Sequence, residues 1–388
     1  MAAKQKILFD KKGLVLFSSL LLVSLLMAAG MGAWIAIQND YKITTNLRQA
    51  TVGFYLAESG IEWAKQQIKQ TSVHPPRLAD DRKNFSSGTF SVVYLSSAAL
   101  TSLSSKIVMR STGSLGLSSQ TIEVQLTKTY DLADSAIGLR GAATNVNLSG
   151  NSFFVSGFDS DPASGATVTG AKPRLAVSTS SAALRAQIEA LVAPTSGVII
   201  GGENNIPISE SDLIPSATLT QLGDDLCRAS HAVTVAVPVG ATFSLANQSW
   251  GSRSAPELHC IETLSGSGSS VTVDGKFTGA GILVMRNVPL VANGSFRWEG
   301  LILVTGTGVS FRVVGDENKD IYGAIMINET GSALASPATL ALEGAIRVFY
   351  SQSALATAAN LIPSATLANI YGSLPSVITQ NFWRSVNP

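Results

Sequence analysis

The sequence predicts an α+β protein in which a long N-terminal helix precedes a small antiparallel sheet and a β-solenoid-like (β-helix) body. Three observations lead to this fold class. An uncharged run begins at Leu14, and no proline interrupts the chain from there to Gln70. Three strand-like runs with alternating polarity come next. From about Ser135 onward, short aliphatic runs recur behind glycines at intervals of roughly 20 residues, which is typical of stacked repeating units.

The uncharged run is long enough to cross a membrane. Residues 14–37 are 24 in number and carry no charge, whereas a helix needs about 20 apolar residues to span the hydrocarbon core of a bilayer. A helical pattern continues to Gln70, so the predicted helix of residues 14–70 is roughly 85 Å long. We expect a single transmembrane segment over residues 14–37 and an amphipathic helix after it.

The charges beside this segment predict its orientation. Residues 1–12 hold four lysines and one aspartate. Because positively charged flanks stay on the cytoplasmic side, we expect the N-terminus to be cytoplasmic. The protein would then be a single-pass inner-membrane protein whose body lies in the periplasm or on the cell surface.

Two residue patterns predict packing surfaces on the helix. In the membrane segment, three small residues spaced four apart would let another helix approach closely; they are Ala28, Gly32 and Ala36. In the second half, apolar residues alternate spacings of four and three; they are Ile43, Leu47, Ala50, Phe54, Ala57, Ile61, Ala64 and Ile68. This seam would pack on the protein's own sheet or, in the manner of a coiled coil, on other helices.

Two further features give the N-terminal region a family resemblance. A basic leader ends at Gly13, and the amphipathic half of the helix contains Leu47-Arg48-Gln49-Ala50 followed by Phe54-Tyr55-Leu56-Ala57-Glu58-Ser59-Gly60-Ile61-Glu62. Together with the apolar run, they resemble the N-terminal region of PilX-type type IV pilus assembly proteins, a minor pilin-like (pseudopilin-like) family. Most pilins have Phe and Glu where this chain has Leu14 and Ser18, and the PilX-type and tip-located members depart from them in this way.

The resemblance implies a function and a set of partners. A prepilin peptidase would cleave between Gly13 and Leu14, and N-terminal methylation would accompany cleavage. The protein would be a structural subunit or assembly factor of a type IV pilus or a related secretion filament. Its partners would be the membrane and other pilin or minor pilin subunits, which would pack against its N-terminal helix.

Beyond the helix, the composition of the chain changes, and we place domain boundaries at these changes. We predict an antiparallel head over residues 86–130 and a body over residues 135–388 with a helical insertion over residues 172–230. Within the body, four glycines precede branched aliphatic runs at intervals of 19, 23 and 21 residues; they are Gly281, Gly300, Gly323 and Gly344. A solenoid with parallel, buried strands is one interpretation of this repeat, and a β-sandwich is the alternative.

The two cysteines predict a disulfide. Cys227 and Cys260 are 33 residues apart, and an exported body would lie in an oxidising compartment. With His231 and His259 they could instead form a zinc site, although the usual Cys-x2-Cys spacing is absent. We expect the disulfide and no cofactor or metal.

Composition and motifs argue against most other functions. The net charge of +1 does not indicate the excess of basic residues that nucleic-acid binding needs. Asp316, Asn318 and Asp320 begin like a calcium loop, but the required glycine and glutamate do not follow. We therefore expect a structural protein rather than an enzyme. The alternatives are a membrane-anchored surface adhesin and a β-helix carbohydrate-active enzyme, which would need two facing carboxylates.

Overall fold

A computed structural model describes residues 11–71, 73–76, 79–85, 88–141, 144–149, 152–193, 197–211, 213–264, 268–331 and 339–386. The helices are α1 (Lys11–Gln70), α2 (Ala182–Val192), α3 (Ser216–Cys227), α4 (Gln352–Ala359) and α5 (Ser364–Ile370), and a short 3-10 turn covers Glu203–Asn205. The strands, in chain order, are β1 (Asp81–Phe85), β2 (Gly88–Thr101), β3 (Ser104–Leu115), β4 (Ser118–Tyr130), β5 (Ser135–Arg140), β6 (Val146–Asn147), β7 (Phe153–Ser156), β8 (Leu175–Thr179), β9 (Val198–Ile200), β10 (Ile208–Glu210), β11 (Val233–Ala236), β12 (Thr242–Ser244), β13 (Gln248–Trp250), β14 (Glu257–Glu262), β15 (Ser270–Val273), β16 (Phe277–Arg286), β17 (Leu290–Ala292), β18 (Phe296–Gly306), β19 (Phe311–Val313), β20 (Lys319–Glu329), β21 (Leu340–Leu342), β22 (Ile346–Tyr350) and β23 (Ser376–Val386).

The N-terminal helix α1 is continuous over 60 residues. It continues past Ile37 because the polar residues that follow the apolar run include neither proline nor a string of glycines. It ends at Gln70, shortly before Pro75 and Pro76, which cannot continue a helix. The predicted leader, residues 1–13, falls mostly on residues 1–10, which lie outside the described residues.

An antiparallel sheet packs against the C-terminal part of α1. Its strand order is β1-β2-β3-β4-β23. On β4, Ile122, Val124 and Leu126 are fully buried and form a core with α1, while the residues between them lie on the opposite face of the sheet. The edge strand β23 comes from the C-terminus, which the sequence analysis had assigned to the body.

The body consists of two parallel sheets. The larger sheet has twelve strands, and its main path is β10-β8-β5-β20-β18-β16-β14-β11. The smaller sheet has six strands in the order β12-β15-β17-β19-β21-β6. The aliphatic runs of β16, β18 and β20 are buried throughout, as expected for parallel strands that are covered on both faces.

The predicted β-solenoid is wrong. A solenoid would stack its strands in sequence order from one end to the other. Here β5 lies between β8 and β20, so the chain enters the large sheet in its interior rather than at an edge. The segment predicted as a helical insertion also supplies three of the sheet's strands, β8, β9 and β10. The fold is α+β, with a long helix, one antiparallel sheet and two large parallel sheets.

Three of the four repeating glycines are stacked in register. Gly281 pairs with Gly300, and Gly300 pairs with Gly323. A Cβ on Gly300 would lie 2.0 Å from the carbonyl oxygen of Gly281, so no other residue fits this stack. Gly344 does not continue the stack, because the partner of Gly323 is Tyr350. Gly344 lies instead against Gly315, outside the strands.

Candidate partner interface on the N-terminal helix

The predicted seam of α1 is divided between two environments. Ala57, Ile61, Ala64 and Ile68 are buried against the antiparallel sheet. Ala50 and Phe54 are half-buried at the border. Ile43 and Leu47 keep 57% and 64% of their surface exposed. Both alternatives for the seam therefore remain, each for a different half: the C-terminal half packs on the protein's own sheet, and the N-terminal half is open to a partner.

Small residues set the closest approach between α1 and the sheet. A Cβ on Gly113 of β3 would lie 2.1 Å from the carbonyl oxygen of Gly53. A Cβ on Gly60 would lie 2.2 Å from the hydroxyl oxygen of Ser111 and 3.0 Å from the Phe90 ring. Gly53 and Gly60 are seven residues apart, so they lie on nearly the same face of the helix. The Gly60 of the family-like segment thus has a packing role within this chain.

Lys128 closes the C-terminal end of α1. Its Nζ donates hydrogen bonds to the carbonyl oxygens of Ile68 at 2.7 Å and Thr71 at 2.8 Å. These carbonyls lack partners within the helix, and a lysine at this end also complements the helix dipole. Burial lowers the pKa of Lys128 to about 8. The sequence analysis did not single out Lys128, although a lone lysine among inward-facing strand positions was a usable signal.

The N-terminal half of α1 has no cover within the described part of the chain. Its apolar side chains from Val15 to Ile37 are exposed, and by length and composition α1 is the one described helix that could cross a membrane. Ala28, Gly32 and Ala36 are also exposed, and no described atom would lie within 4 Å of a Cβ on Gly32. The predicted small-residue surface is therefore free to receive another helix.

The polar groups of this half are compatible with an apolar surrounding. The hydroxyls of Ser18, Ser19 and Ser24 each donate to the carbonyl oxygen three residues earlier, at 2.9–3.0 Å. Unpaired polar groups are costly in lipid, and these three are paired within the helix. The predicted processing site, Gly13 and Leu14, lies in the first turns of α1.

The structure joins Cys227 and Cys260 in a disulfide. The bond attaches the last residue of α3 to β14, and the Cα atoms are 5.3 Å apart. The zinc hypothesis is wrong because both sulfurs are used in this bond. The two histidines have other partners: His231 hydrogen-bonds the carbonyl oxygen of Leu361 at 2.7 Å, and His259 pairs with Glu257 at 2.7 Å.

Asp320 of the calcium-like stretch and two further aspartates, Asp159 and Asp161, lie in separate local contacts. Asp320 forms a bidentate ion pair with Arg347, with distances of 2.7 and 2.8 Å. Asp159 accepts the backbone N–H of Gln352 at 2.8 Å. The carboxylate of Asp161 accepts backbone N–H groups of its own turn, which lowers its pKa. These carboxylates stabilise turns and neighbouring strands.

A buried ion pair lies where the antiparallel sheet meets the body. Asp131 follows β4 and accepts hydrogen bonds from Arg174 and from Gln352. Burial raises the pKa of Asp131 to about 6, although the charge of Arg174 opposes the shift. Because neither residue belongs to a motif, the sequence analysis missed this pair.

The comparisons with known proteins find distant structural similarity. No protein-family model matches this sequence. No curated protein matches it either. Among solved structures, the chain is similar to the crystal structure of the competence-associated pilin ComZ from Thermus thermophilus, with 15% identity, a TM-score of 0.26, and coverage of 87% of this chain and 97% of that chain. This likeness is too distant to carry an argument.

Proposed function

We propose that the protein is a membrane-anchored, pilin-like structural subunit or assembly factor of a type IV pilus or a related secretion filament. One observation carries the proposal: α1 is a single rigid helix, yet only its C-terminal half is covered by the protein itself. A helix whose apolar surface extends far beyond its own domain needs lipid or another protein to cover that surface.

The apolar surface of the N-terminal half of α1 is too large to remain exposed to water. Removing one large apolar side chain from water contributes about 1.5–3 kcal/mol, and more than ten such side chains are exposed between Val15 and Ile37. Lipid would cover them in the membrane. Other helices would cover them in a filament, where Ala28, Gly32 and Ala36 would allow close packing.

The disulfide supports export of the body. Disulfides persist in oxidising compartments outside the cytoplasm, and Cys227–Cys260 lies in the part of the chain that follows the helix. By the positive-inside rule, the four lysines before the apolar run favour a cytoplasmic N-terminus. Both observations support a single pass with the body outside the inner membrane.

One cleft in the described part of the body is lined by paired charges. It has a volume of about 180 Å³ and includes Arg253, Glu299 and Asp161 in its lining. Glu299 is bound by Arg253 at 2.9 Å and by Arg297 at 2.9 Å. A carboxylate whose oxygens are engaged by two guanidinium groups serves as an ion-pair partner, which supports a structural rather than a catalytic role.

The PilX-type assignment is the finer part of the proposal. It rests on the leader, on Leu14 and Ser18 after Gly13, and on the segment that ends at Glu62. Under this assignment, a prepilin peptidase removes residues 1–13, and the processed helix then packs among the helices of other pilin subunits.

The test is the N-terminus of the protein from its own membranes. We expect mass spectrometry of the membrane-bound protein to find Leu14 as the first residue, and to find the full leader on a Gly13→Val variant. Gly30→Val is the matched control, because Gly30 lies in the same helix without a described contact, and it should be processed normally. Identical unprocessed N-termini in wild type and Gly13→Val, or recovery of the protein in the soluble fraction, would contradict the proposal.

A further inference from the structure

We propose that the cleft between α4 and the large parallel sheet is a non-catalytic binding site for one neutral sugar ring. The floor of this α4 cleft is Ala280 of β16 and Glu299 of β18, which are neighbours in register. The inference goes beyond the proposed function and does not depend on it, because the cleft lies in the body and not on α1.

Two segments from different parts of the chain form the sides of the α4 cleft. Ser353 and Thr357 of α4 line one side. Asp161 and Pro162, from the loop between β7 and β8, line the other. The volume of about 180 Å³ is below the 300–1,000 Å³ or so of clefts that hold drug-sized ligands, so the cleft has room for a single small ring.

Hydrogen bonds fix the two sides of the cleft in place. Asp159 accepts the backbone N–H of Gln352, the first residue of α4, at 2.8 Å, which ties the loop to the helix. Arg297 of β18 donates to the carbonyl oxygen of Pro162 at 2.8 Å, which ties the loop to the sheet. A ligand that enters this cleft does not have to order its walls, and that saving favours binding.

The charges around the cleft balance one another. Glu299 accepts two hydrogen bonds from Arg253, both at 2.9 Å, and one from Arg297 at 2.9 Å. With Asp161, the group holds two carboxylates and two guanidinium cations. A charged ligand would therefore meet little net charge to repay the loss of its water. This balance favours a neutral ligand over a phosphate, an amine or a carboxylate.

Several polar atoms of the lining keep unused hydrogen-bonding capacity. Arg253 uses its Nε and Nη2 for Glu299, so among the described residues its Nη1 has no hydrogen-bond partner. Thr357 donates its hydroxyl proton to the carbonyl oxygen of Ser353 at 3.0 Å, and its oxygen can still accept. The carboxylate of Asp161 accepts three hydrogen bonds from its own turn, of about four that it can take. Sugar hydroxyls both donate and accept, so they match this mixture.

The remaining lining is apolar and small. It consists of Pro162, Ala280 and Ala354, which suits the C–H face of a sugar ring, because that face is apolar while the hydroxyls point outward from the edge. The described lining residues include no aromatic ring, so a nucleobase would find no stacking partner. Glycoside hydrolysis needs a protonated and an ionised carboxyl facing each other, whereas Glu299 is held in ion pairs. Binding without cleavage is the chemistry that this cleft offers.

The experiment measures sugar binding to the full chain in a detergent without a sugar headgroup. The probes are D-glucose, D-galactose, D-mannose and N-acetyl-D-glucosamine, and saturation-transfer NMR gives the dissociation constants. We expect at least one of them to bind with a Kd of about 1–10 mM, as befits a ligand this small. D-Glucuronate, which adds a charge, and glycerol, which lacks a ring, should each bind at least about tenfold more weakly.

Two variants test whether the bound sugar lies in the α4 cleft. Thr357→Phe fills the cleft from the helix and should weaken binding at least about tenfold. Asp161→Asn removes a charged acceptor but can keep the turn, because Asn forms the same side-chain turn, and it should weaken binding about threefold or more. Ala356→Phe is the matched control for the first variant: Ala356 is exposed on the same helix and does not line the cleft, so binding should be unchanged.

Unfolding midpoints of all variants are measured in parallel, and if Thr357→Phe does not fold, Asp161→Asn decides alone. The inference is overturned if none of the four sugars binds at about 50 mM, if glycerol binds as tightly as they do, or if the folded cleft variants bind like wild type. The membrane fraction and the N-terminus are determined on the same preparation. If these are as expected and no sugar binds, the proposed function stands although the sugar site does not.

Discussion

At the residue scale, glycines determine how closely α1 can approach the sheet. The Gly53 carbonyl occupies the space in which a side chain on Gly113 would lie. A side chain added at position 113 could not be accommodated by a rotamer change, because the atom that it would meet belongs to the backbone. The sequence analysis identified Gly60 from its family-like segment but could not identify Gly113, whose partner is 60 residues away.

We predict that Gly113→Ala destabilises the helix–sheet contact. The added methyl group would force α1 away from β3, at a cost of about 1–3 kcal/mol or more. Thermal unfolding in detergent should show a lower midpoint than wild type. Gly30→Ala is the control, since no described atom lies within 4 Å of its Cβ position; equal midpoints for the two variants would show that the close approach is not needed.

Lys128 makes a second prediction at this scale. Its pKa is about 8 in the folded protein and about 10.4 in the unfolded chain. Between these values the unfolded state binds the proton and the folded state has released it, so stability rises with pH in this window, by up to about 3 kcal/mol. Denaturant unfolding between pH 7.5 and 10.5 should show the rise in wild type and lose it in Lys128→Met.

The control for this prediction is Lys106→Met on the neighbouring strand, where the side chain is half-exposed. That variant should keep the wild-type pH dependence. A flat profile in wild type would show that Lys128 remains charged between Ile68 and Thr71 throughout the window.

At the scale of elements, the disulfide attaches α3 to the parallel sheet. We predict that the double variant Cys227→Ser, Cys260→Ser loses about 3–4 kcal/mol of stability, because the bond closes a loop of 33 residues in the unfolded chain. Reduction of the wild type should cause the same loss. If the reduced and oxidised proteins unfold at the same denaturant concentration, the bond has no stabilising role.

At the junction between the antiparallel sheet and the body, Asp131 leads us to predict that stability falls as pH rises, the opposite of the effect of Lys128. The pKa of Asp131 is about 6 when folded and about 3.9 when unfolded. Between these values the folded state holds a proton that the unfolded state has lost, so the carboxyl's contribution to stability falls as pH rises from 4 to 6, by about 3 kcal/mol.

Asp131→Asn should remove this dependence. Relative to the variant, wild type should become less stable as pH rises from 4 to 6 and then remain level. Glu189→Gln, in an exposed ion pair with Arg185, is the control and should leave the profile unchanged. A constant difference between wild type and Asp131→Asn across this range would refute the prediction.

At the scale of the whole molecule, the uncovered half of α1 and the folded body are separable. The core between α1 and the sheet uses Ala57, Ile61, Ala64 and Ile68, all of which follow residue 50. The parallel sheets have their own core. The apolar N-terminal half therefore contributes attachment rather than stability of the fold.

We predict that a chain beginning at Asp40 folds and leaves the membrane. Its unfolding midpoint should lie within about 2 °C of the full chain's, since no buried contact is removed. Exported behind a cleavable secretory signal, it should fractionate with the soluble periplasmic extract rather than with the membrane. Aggregation, or a large loss of stability, would mean that residues before 40 also hold the fold together.

The local parts of this structure could be predicted from the sequence. The predicted helix of residues 14–70, the strands behind Gly281 and Gly300, and the choice of Cys227 and Cys260 as partners all depend on patterns within short stretches or on there being two cysteines. The β-solenoid prediction was wrong because it assumed that strands behind regularly spaced glycines stack in sequence order. Spacing constrains which strands can pair, but it does not say at which edge the chain enters the sheet.

The sequence by itself determined that an apolar helix is followed by a β-rich chain, because charge, proline and hydrophobic period act locally. The tertiary structure alone decided that the seam is covered from about residue 53 onward, that β23 returns to the antiparallel sheet, and that Gly116 stands beside Gln49. Those facts depend on contacts between residues that are tens to hundreds of positions apart, and such contacts leave no period along the chain.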